Sequence, residues 1–297
     1  MTGQMLKDGD SLRLGFFLVA LVDLLGQREE LRKLTGLPKA ADPNDPIVRA
    51  LRSTWGAVHL VRSMFLAHFE ACSQESGFAQ SLGPAQREAL RRVMKAEIVN
   101  YGFSDSVIIA VALEAKPGDP TPVNGVWQTL LAVGTTATLS LAAKHPLRAG
   151  IDVGVAVRAS DHEIYGAALE RAYTLESHCA QHPRIVVGQE LLSYLRQVKD
   201  QPHDTTEAQI GSLRAESALR FIFQDADGQP ALDYLGSEVH DVVAASLTPA
   251  TVQQAYDFVV SEQARWRAGG NEGRADRYRK VREYFESRAE LWGIATR

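Results

Sequence analysis

Two short apolar stretches, each interrupted by one aspartate, constrain this chain more than any other feature. The first runs Phe16-Phe17-Leu18-Val19-Ala20-Leu21-Val22-Asp23-Leu24-Leu25-Gly26. The second runs Tyr101-Gly102-Phe103-Ser104-Asp105-Ser106 into Val107-Ile108-Ile109-Ala110-Val111. A continuous apolar run this short suits a strand buried on both faces better than an amphipathic helix. A carboxylate in or at the end of such a strand pays a large desolvation cost unless something positive lies beside it. Alone, either aspartate is most simply a cap or a hydrogen-bonded core residue. Brought together, the two would repel unless a divalent cation lay between them. The pair therefore predicts a metal-dependent enzyme acting on a phosphorylated substrate, with Asp23 and Asp105 as the metal ligands.

The rest of the composition narrows the class. At 297 residues, with 45% hydrophobic and 23% charged residues, the chain has the makeup of an ordinary globular protein of one large or two small domains. A net charge of -4 argues against a partner recognised by phosphate neutralisation, so no nucleic acid is expected. Cys72 and Cys179 have no metal-ligand spacing and fit packing residues in a reducing compartment. The first ten residues lack the order of a secretory signal, and the most apolar run, residues 14–25, is too short for a bilayer and contains Asp23. A cytoplasmic protein with no membrane partner is the expectation.

Residues 16–22 predict a strand, Gly26 a tight turn, and residues 27–34 a helix start whose backbone N–H groups suit an anion. Helices are expected over residues 47–72 and 84–95, then a strand pair, 98–100 with 107–114, joined around residues 102–106. A Pro/Gly loop precedes an apolar helical stretch at 125–144, a strand at 148–157, and a polar turn at Asp161-His162-Glu163. Residues 167–179 read as helix and 183–187 as strand, while the polar stretch 198–217 predicts a loop or lid. Asp225-Ala226-Asp227-Gly228 is a hairpin turn signal, and residues 249–292 are helical and charged. The charged helix 274–288 suits a solvated or dimer-facing position. His145, His162, His178 and His182 lack a zinc-helix spacing and read as turn and surface residues. Strands alternating with helices point to an α/β or α+β sheet protein.

The two aspartate segments, the turn after the first, Leu147-Arg148-Ala149-Gly150-Ile151-Asp152-Val153-Gly154, Glu163-Ile164-Tyr165-Gly166 and Leu175-Glu176-Ser177 together resemble the catalytic domain of class III nucleotidyl cyclases. The resemblance covers roughly residues 14–190. It implies an α+β, ferredoxin-like core, a central mostly antiparallel sheet with flanking helices, over residues 1–240. A helical insertion at about 37–95 and a helical C-terminal extension at 241–297 would complete the chain. It also implies two Mg²⁺ or Mn²⁺ ions on Asp23 and Asp105, one activating the ribose 3′-hydroxyl and one neutralising the phosphates. Leu24, Leu25 and Gly26 would present backbone donors to the triphosphate.

Where purine cyclases of the family carry a base-reading lysine this chain has Tyr101, and the partner acid is Glu163. This pattern is similar to the pyrimidine cyclases of bacterial antiphage defence, called Pycsar. It implies UTP or CTP as substrate, with Tyr101 and Glu163 shaping the base pocket. A homodimer with sites at the interface and a separate effector that responds to the cyclic nucleotide are implied as well. The family's asparagine and arginine that steady the transition state align with Glu170 and Thr174, leaving Arg171 or Arg148 for that cationic role. A cyclase-like module that binds nucleotide without turnover, and a metal-dependent phosphohydrolase, are the rival readings.

Overall fold

The computed structural model describes residues 12–32, 34–35, 42, 45–72, 83–94, 96–113, 122–159, 163–202, 204–244 and 246–297. The expected Pro/Gly loop before residue 122 and most of the polar turn at 161–163 lie outside the described residues.

The chain folds as an α+β structure around one mixed eight-stranded sheet. Its spine is β1 (Leu12–Leu24), flanked by β3 (Ser106–Ala112) on one side and β4 (Leu147–Ala159) on the other, both antiparallel to it. β2 (Ile98–Phe103) closes one edge. Beyond β4 lie β6 (Ile185–Val187), parallel to it, and the hairpin of β7 (Ile222–Gln224) and β8 (Pro230–Leu232). The short β5 (Glu163–Gly166) folds back on the far end of β4. β1 and β4 pair without a break from Leu12 opposite Ala159 to Leu24 opposite Leu147, longer at both ends than the apolar run alone predicts.

Between these strands run α1 (Gln27–Arg32), α2 (Pro46–Ala71), α3 (Pro84–Met94) and α4 (Val123–Ala142). α5 (Ala167–Thr174) continues into a π-helical turn, Leu175–Cys179. After it come α6 (Gln189–Lys199), α7 (Thr206–Arg220) and α8 (Ser237–Val243). The chain ends with α9 (Pro249–Ala268), α10 (Glu272–Glu286) and α11 (Ala289–Trp292).

Side-chain alternation along β1 splits the core in two. Leu18, Ala20, Val22 and Leu24 face α4, whereas Phe17, Val19 and Leu21 face the side covered by α5. α4 is apolar almost all round and is buried accordingly, with the sheet on one side and α2, α7 and α9 around the rest. Two of its polar side chains bond to backbone: Thr129 Oγ1 donates to the Gly125 carbonyl at 2.7 Å, and Asn124 Nδ2 to the Met94 carbonyl at 3.2 Å. The helices from Pro249 onward add Tyr256, Phe285 and Trp292 to this same core.

One expected element is overturned. Residues 198–217 do not form a loop or lid, because α6 runs to Lys199 and α7 occupies Thr206–Arg220. Thr205 caps α7 by accepting from the Ala208 N–H, and its buried stripe is Gly211, Ala215 and Ala218, residues too small to announce an apolar face. Among the described residues no helix is long and apolar enough to cross a membrane. Cys72 and Cys179 are free and half-buried, and burial pushes the Cys72 thiol up to about 11.

Candidate functional site

Asp23 and Asp105 meet at the end of the sheet where β1 and β3 emerge. Asp23 sits directly across from Ser106 in the β1–β3 ladder, and the Leu24 N–H donates to the Asp105 carbonyl at 3.1 Å. Asp105 is the second residue of the two-residue turn joining β2 to β3, whose first residue, Ser104, takes the positive φ of 55° that tight hairpins demand. Both aspartates are buried, at 4% and 5% exposure.

A third carboxylate, Glu176, and a cation, Arg148, adjoin Asp23. Arg148, opposite Asp23 on β4, places Nε and Nη2 each 3.3 Å from Asp23 Oδ2, and its Nε lies 2.6 Å from Glu176 Oε1. Ser106 Oγ donates to the other Asp23 oxygen at 3.1 Å. Arg148 thus bridges two buried acids, which is the compensation a charge needs when it leaves water.

Glu176 reaches this position because α5 lies directly on β4. A Cβ at Gly150 would stand 2.2 Å from the Ala172 carbonyl and 2.6 Å from the Glu176 nitrogen, and one at Gly154 only 3.1 Å from the Ala168 nitrogen. Ala168 and Ala172 supply the small side of that contact, and Glu176 follows them at the same helical spacing on the π turn, a local geometry that recurs at functional sites. Its signal in the sequence is that stripe, two buried alanines followed four residues on by an acid.

A cavity of about 840 Å³ opens beside the cluster on the α5 side of the sheet. Leu21 and Ile108 line it from the strands, Asp105 from the β2–β3 turn, and Tyr173, Glu170 and Glu176 from α5 and its π turn. On its other side Asp105 borders a groove of about 480 Å³ between α1 and α2, where Arg52 and the exposed Trp55 lie. Arg52 makes no ion pair with any described residue.

The remaining expected site residues fall elsewhere. Leu24 and Leu25 do not offer phosphate donors, since the Leu25 N–H already donates to the Pro146 carbonyl at 2.8 Å and that of Leu24 to Asp105. Gly26 forms the turn at a φ of 93°, a conformation open to glycine. Tyr101 is packed into the apolar cluster between sheet and α5 and does not line the cavity, and Glu163 is exposed at the start of β5. Arg171 is held at the α5–β4 contact, where its Nη1 donates to the Val153 carbonyl at 2.9 Å. Tyr165 and Tyr173, 77% and 55% exposed, are the aromatic residues on the cavity wall.

Asp152, a further buried acid on β4, has a structural task. Its Oδ1 accepts from the Val153 N–H at 2.9 Å and the Leu191 N–H at 2.8 Å, capping α6, whose N-cap residue is glycine. Burial raises its pKa. No protein-family model matches the chain, and no curated protein matches it.

Proposed function

We propose that the chain is a nucleotide cyclase that converts UTP to 3′,5′-cyclic UMP and pyrophosphate, with CTP to cyclic CMP as the alternative. The supporting observation is that Asp23 and Asp105 lie at one end of the sheet, where Asp105 and Glu176 line a cavity large enough for a nucleotide and Arg148 joins Asp23 to Glu176. Cyclisation forms a bond from the ribose 3′-oxygen to the α-phosphorus and breaks the bond to pyrophosphate. The group that departs is strongly anionic, and the 3′-hydroxyl must lose its proton.

An all-carboxylate donor set fits Mg²⁺ or Mn²⁺, and Asp23 and Asp105 would hold the ions, with Glu176 beside them. Such ions lower the pKa of the attacking hydroxyl and neutralise the phosphates. Arg148 is the better placed of the two candidate cations for the transition state, because it already lies within the carboxylate cluster while Arg171 is engaged with backbone. Arg52, across Asp105 in the second groove, is suited to the triphosphate. Tyr165 and Tyr173 take the base-contact role in place of Tyr101.

The active form in this reading is a homodimer. β1 and β4 project together, and Leu14 and Tyr165 each pair in register with Val157 on one face of the resulting three-stranded end. Leu14 is 66% exposed there, an apolar surface suited to a second copy of the chain. The cyclic nucleotide would act through a separate effector.

Incubating the purified protein with each of the four NTPs and Mn²⁺, and resolving the products, tests the proposal. UTP or CTP should give a cyclic monophosphate and pyrophosphate, and Asp23→Ala or Asp105→Ala should abolish this. Preference for ATP or GTP would overturn the pyrimidine assignment, and full activity in either variant the metal assignment. One observation favours a non-catalytic nucleotide-binding module instead: Arg148 already occupies Asp23 Oδ2. Calorimetric nucleotide binding with no product released would decide for that reading.

A further inference from the structure

A second cavity lies on the β6–β8 side of β4, away from the strands that carry Asp23 and Asp105. It measures about 470 Å³ and lies between the β7–β8 hairpin, the segment leading into β6, and α10. Two polar side chains on its lining are more than nine-tenths buried. His182 is 7% exposed and Tyr234 3%, and neither ring makes a hydrogen bond to a described residue. His182 is therefore not the surface residue that its sequence context predicts. Neither is among the buried polar groups cut off without a partner, so the imidazole and the phenol open onto the cavity, where a ligand can bond them.

The charges around the cavity are nearly all committed. Arg184 is held by Asp225 and by Asp227, whose Oδ2 lies 2.6 Å from Nη2. Arg279 is paired with Asp276 at 2.7 Å and Glu283 at 2.6 Å, and Arg288 with Asp233 at 2.8 Å. Lys280 alone among the charged lining residues makes no ion pair with a described residue. Phe223 is half-buried on the wall, backed by the ring of Tyr284 at 5.9 Å and 20° from parallel. Leu232 and Val281 add apolar surface.

We propose that this cavity is a second ligand site, independent of the Asp23–Asp105 cluster, that takes a small planar aromatic monoanion. The ring would stack against Phe223, His182 and Tyr234 would bond its polar edge, and Lys280 would meet its single charge. One uncommitted cation matches one negative charge, and more highly charged ligands would face Asp225, Asp227 and Glu283. His182 suits a polar edge because burial, with Arg184 and Lys280 nearby, lowers its pKa to about 4 and keeps the imidazole neutral, with one donor and one acceptor.

Three probes separate the contributions: indole-3-acetate, its neutral amide, and cyclohexylacetate, which keeps the charge without the aromatic ring. Calorimetry and saturation-transfer NMR on the full chain should show saturable binding of indole-3-acetate and about tenfold weaker binding of each of the other two. Lys280→Ala, an exposed helix position that leaves the fold intact, should weaken the anion about tenfold and leave the amide unchanged. Phe223→Leu should weaken both indoles, and Asp23→Ala neither. Absence of saturation by indole-3-acetate, equal binding of acid and amide, or full affinity in Lys280→Ala would each overturn the proposal.

Discussion

Arg148→Met exposes what holds the carboxylate cluster together. In the native protein the guanidinium stands 3.3 Å from Asp23 Oδ2 and 2.6 Å from Glu176 Oε1, and both acids are 4% exposed. At an effective dielectric constant of about 20, the longer pair alone corresponds to roughly 5 kcal/mol of attraction. Most of that offsets the desolvation of the ions, so the pair contributes little net stability. Its disruption is different, because methionine fills much of the volume but removes the guanidinium that bridges the buried Asp23 and Glu176, and such losses run to about 3–5 kcal/mol. Urea denaturation at pH 7 without divalent ions should show this loss. If Asp23, Asp105 and Glu176 also bind divalent ions, the arginine competes with them, and millimolar Mn²⁺ should then stabilise Arg148→Met more than the native chain, each tenfold gain in affinity adding about 1.4 kcal/mol. A loss under about 1 kcal/mol, or equal Mn²⁺ stabilisation of the two proteins, would refute this reasoning.

Two further perturbations follow from buried groups. The His182 pKa is about 4 in the folded chain against an ordinary 6.5, so its neutral form stabilises the fold above pH 6.5. That contribution falls away as the pH drops toward 4, since the unfolded chain binds the proton more readily. Between pH 7 and 4.5 the native protein should lose roughly 2–3 kcal/mol more than His182→Gln does in parallel urea titrations. Equal losses would show that His182 titrates normally. Gly188→Ala should lower stability by about 2–4 kcal/mol, since the new Cβ would stand 2.0 Å from Asp152 Cγ and drive that carboxylate off the Val153 and Leu191 N–H groups. In thermal melts, Asp152→Ala combined with Gly188→Ala should cost less than the sum of the single changes, and strict additivity would count against the clash.

The sequence carried the sheet's centre more clearly than its surroundings, for physical reasons. β1, β3 and β4 are buried on both faces, and a strand in that position announces itself as an unbroken apolar run, as in Leu18–Val22. α7 did not, because Gly211, Ala215 and Ala218 achieve contact through smallness rather than hydrophobicity. Asp23 and Asp105 stood out against apolar neighbours, whereas the burial of Glu176 depends on the glycines of another strand, Gly150 and Gly154. That Arg148 lies beside Asp23 while Arg171 bonds the Val153 carbonyl depends on three-dimensional neighbours that linear spacing does not encode. Tyr101 looked like a pocket residue because its position on β2 is visible in sequence and the direction of its ring is not.

Because α4 has no solvent-facing side, it has nowhere to hide while the chain is being made. Its last residue, Ala142, leaves the ribosome long before Pro249, where α9 begins, and at ordinary elongation speeds the interval is roughly 5–20 s. Throughout that time the nascent protein displays a twenty-residue greasy rod that only later segments will cover. Shortening the protein near residue 240 would make this exposure permanent. Chaperone dependence and inclusion-body formation, rather than a tidy smaller domain, are the expected consequence.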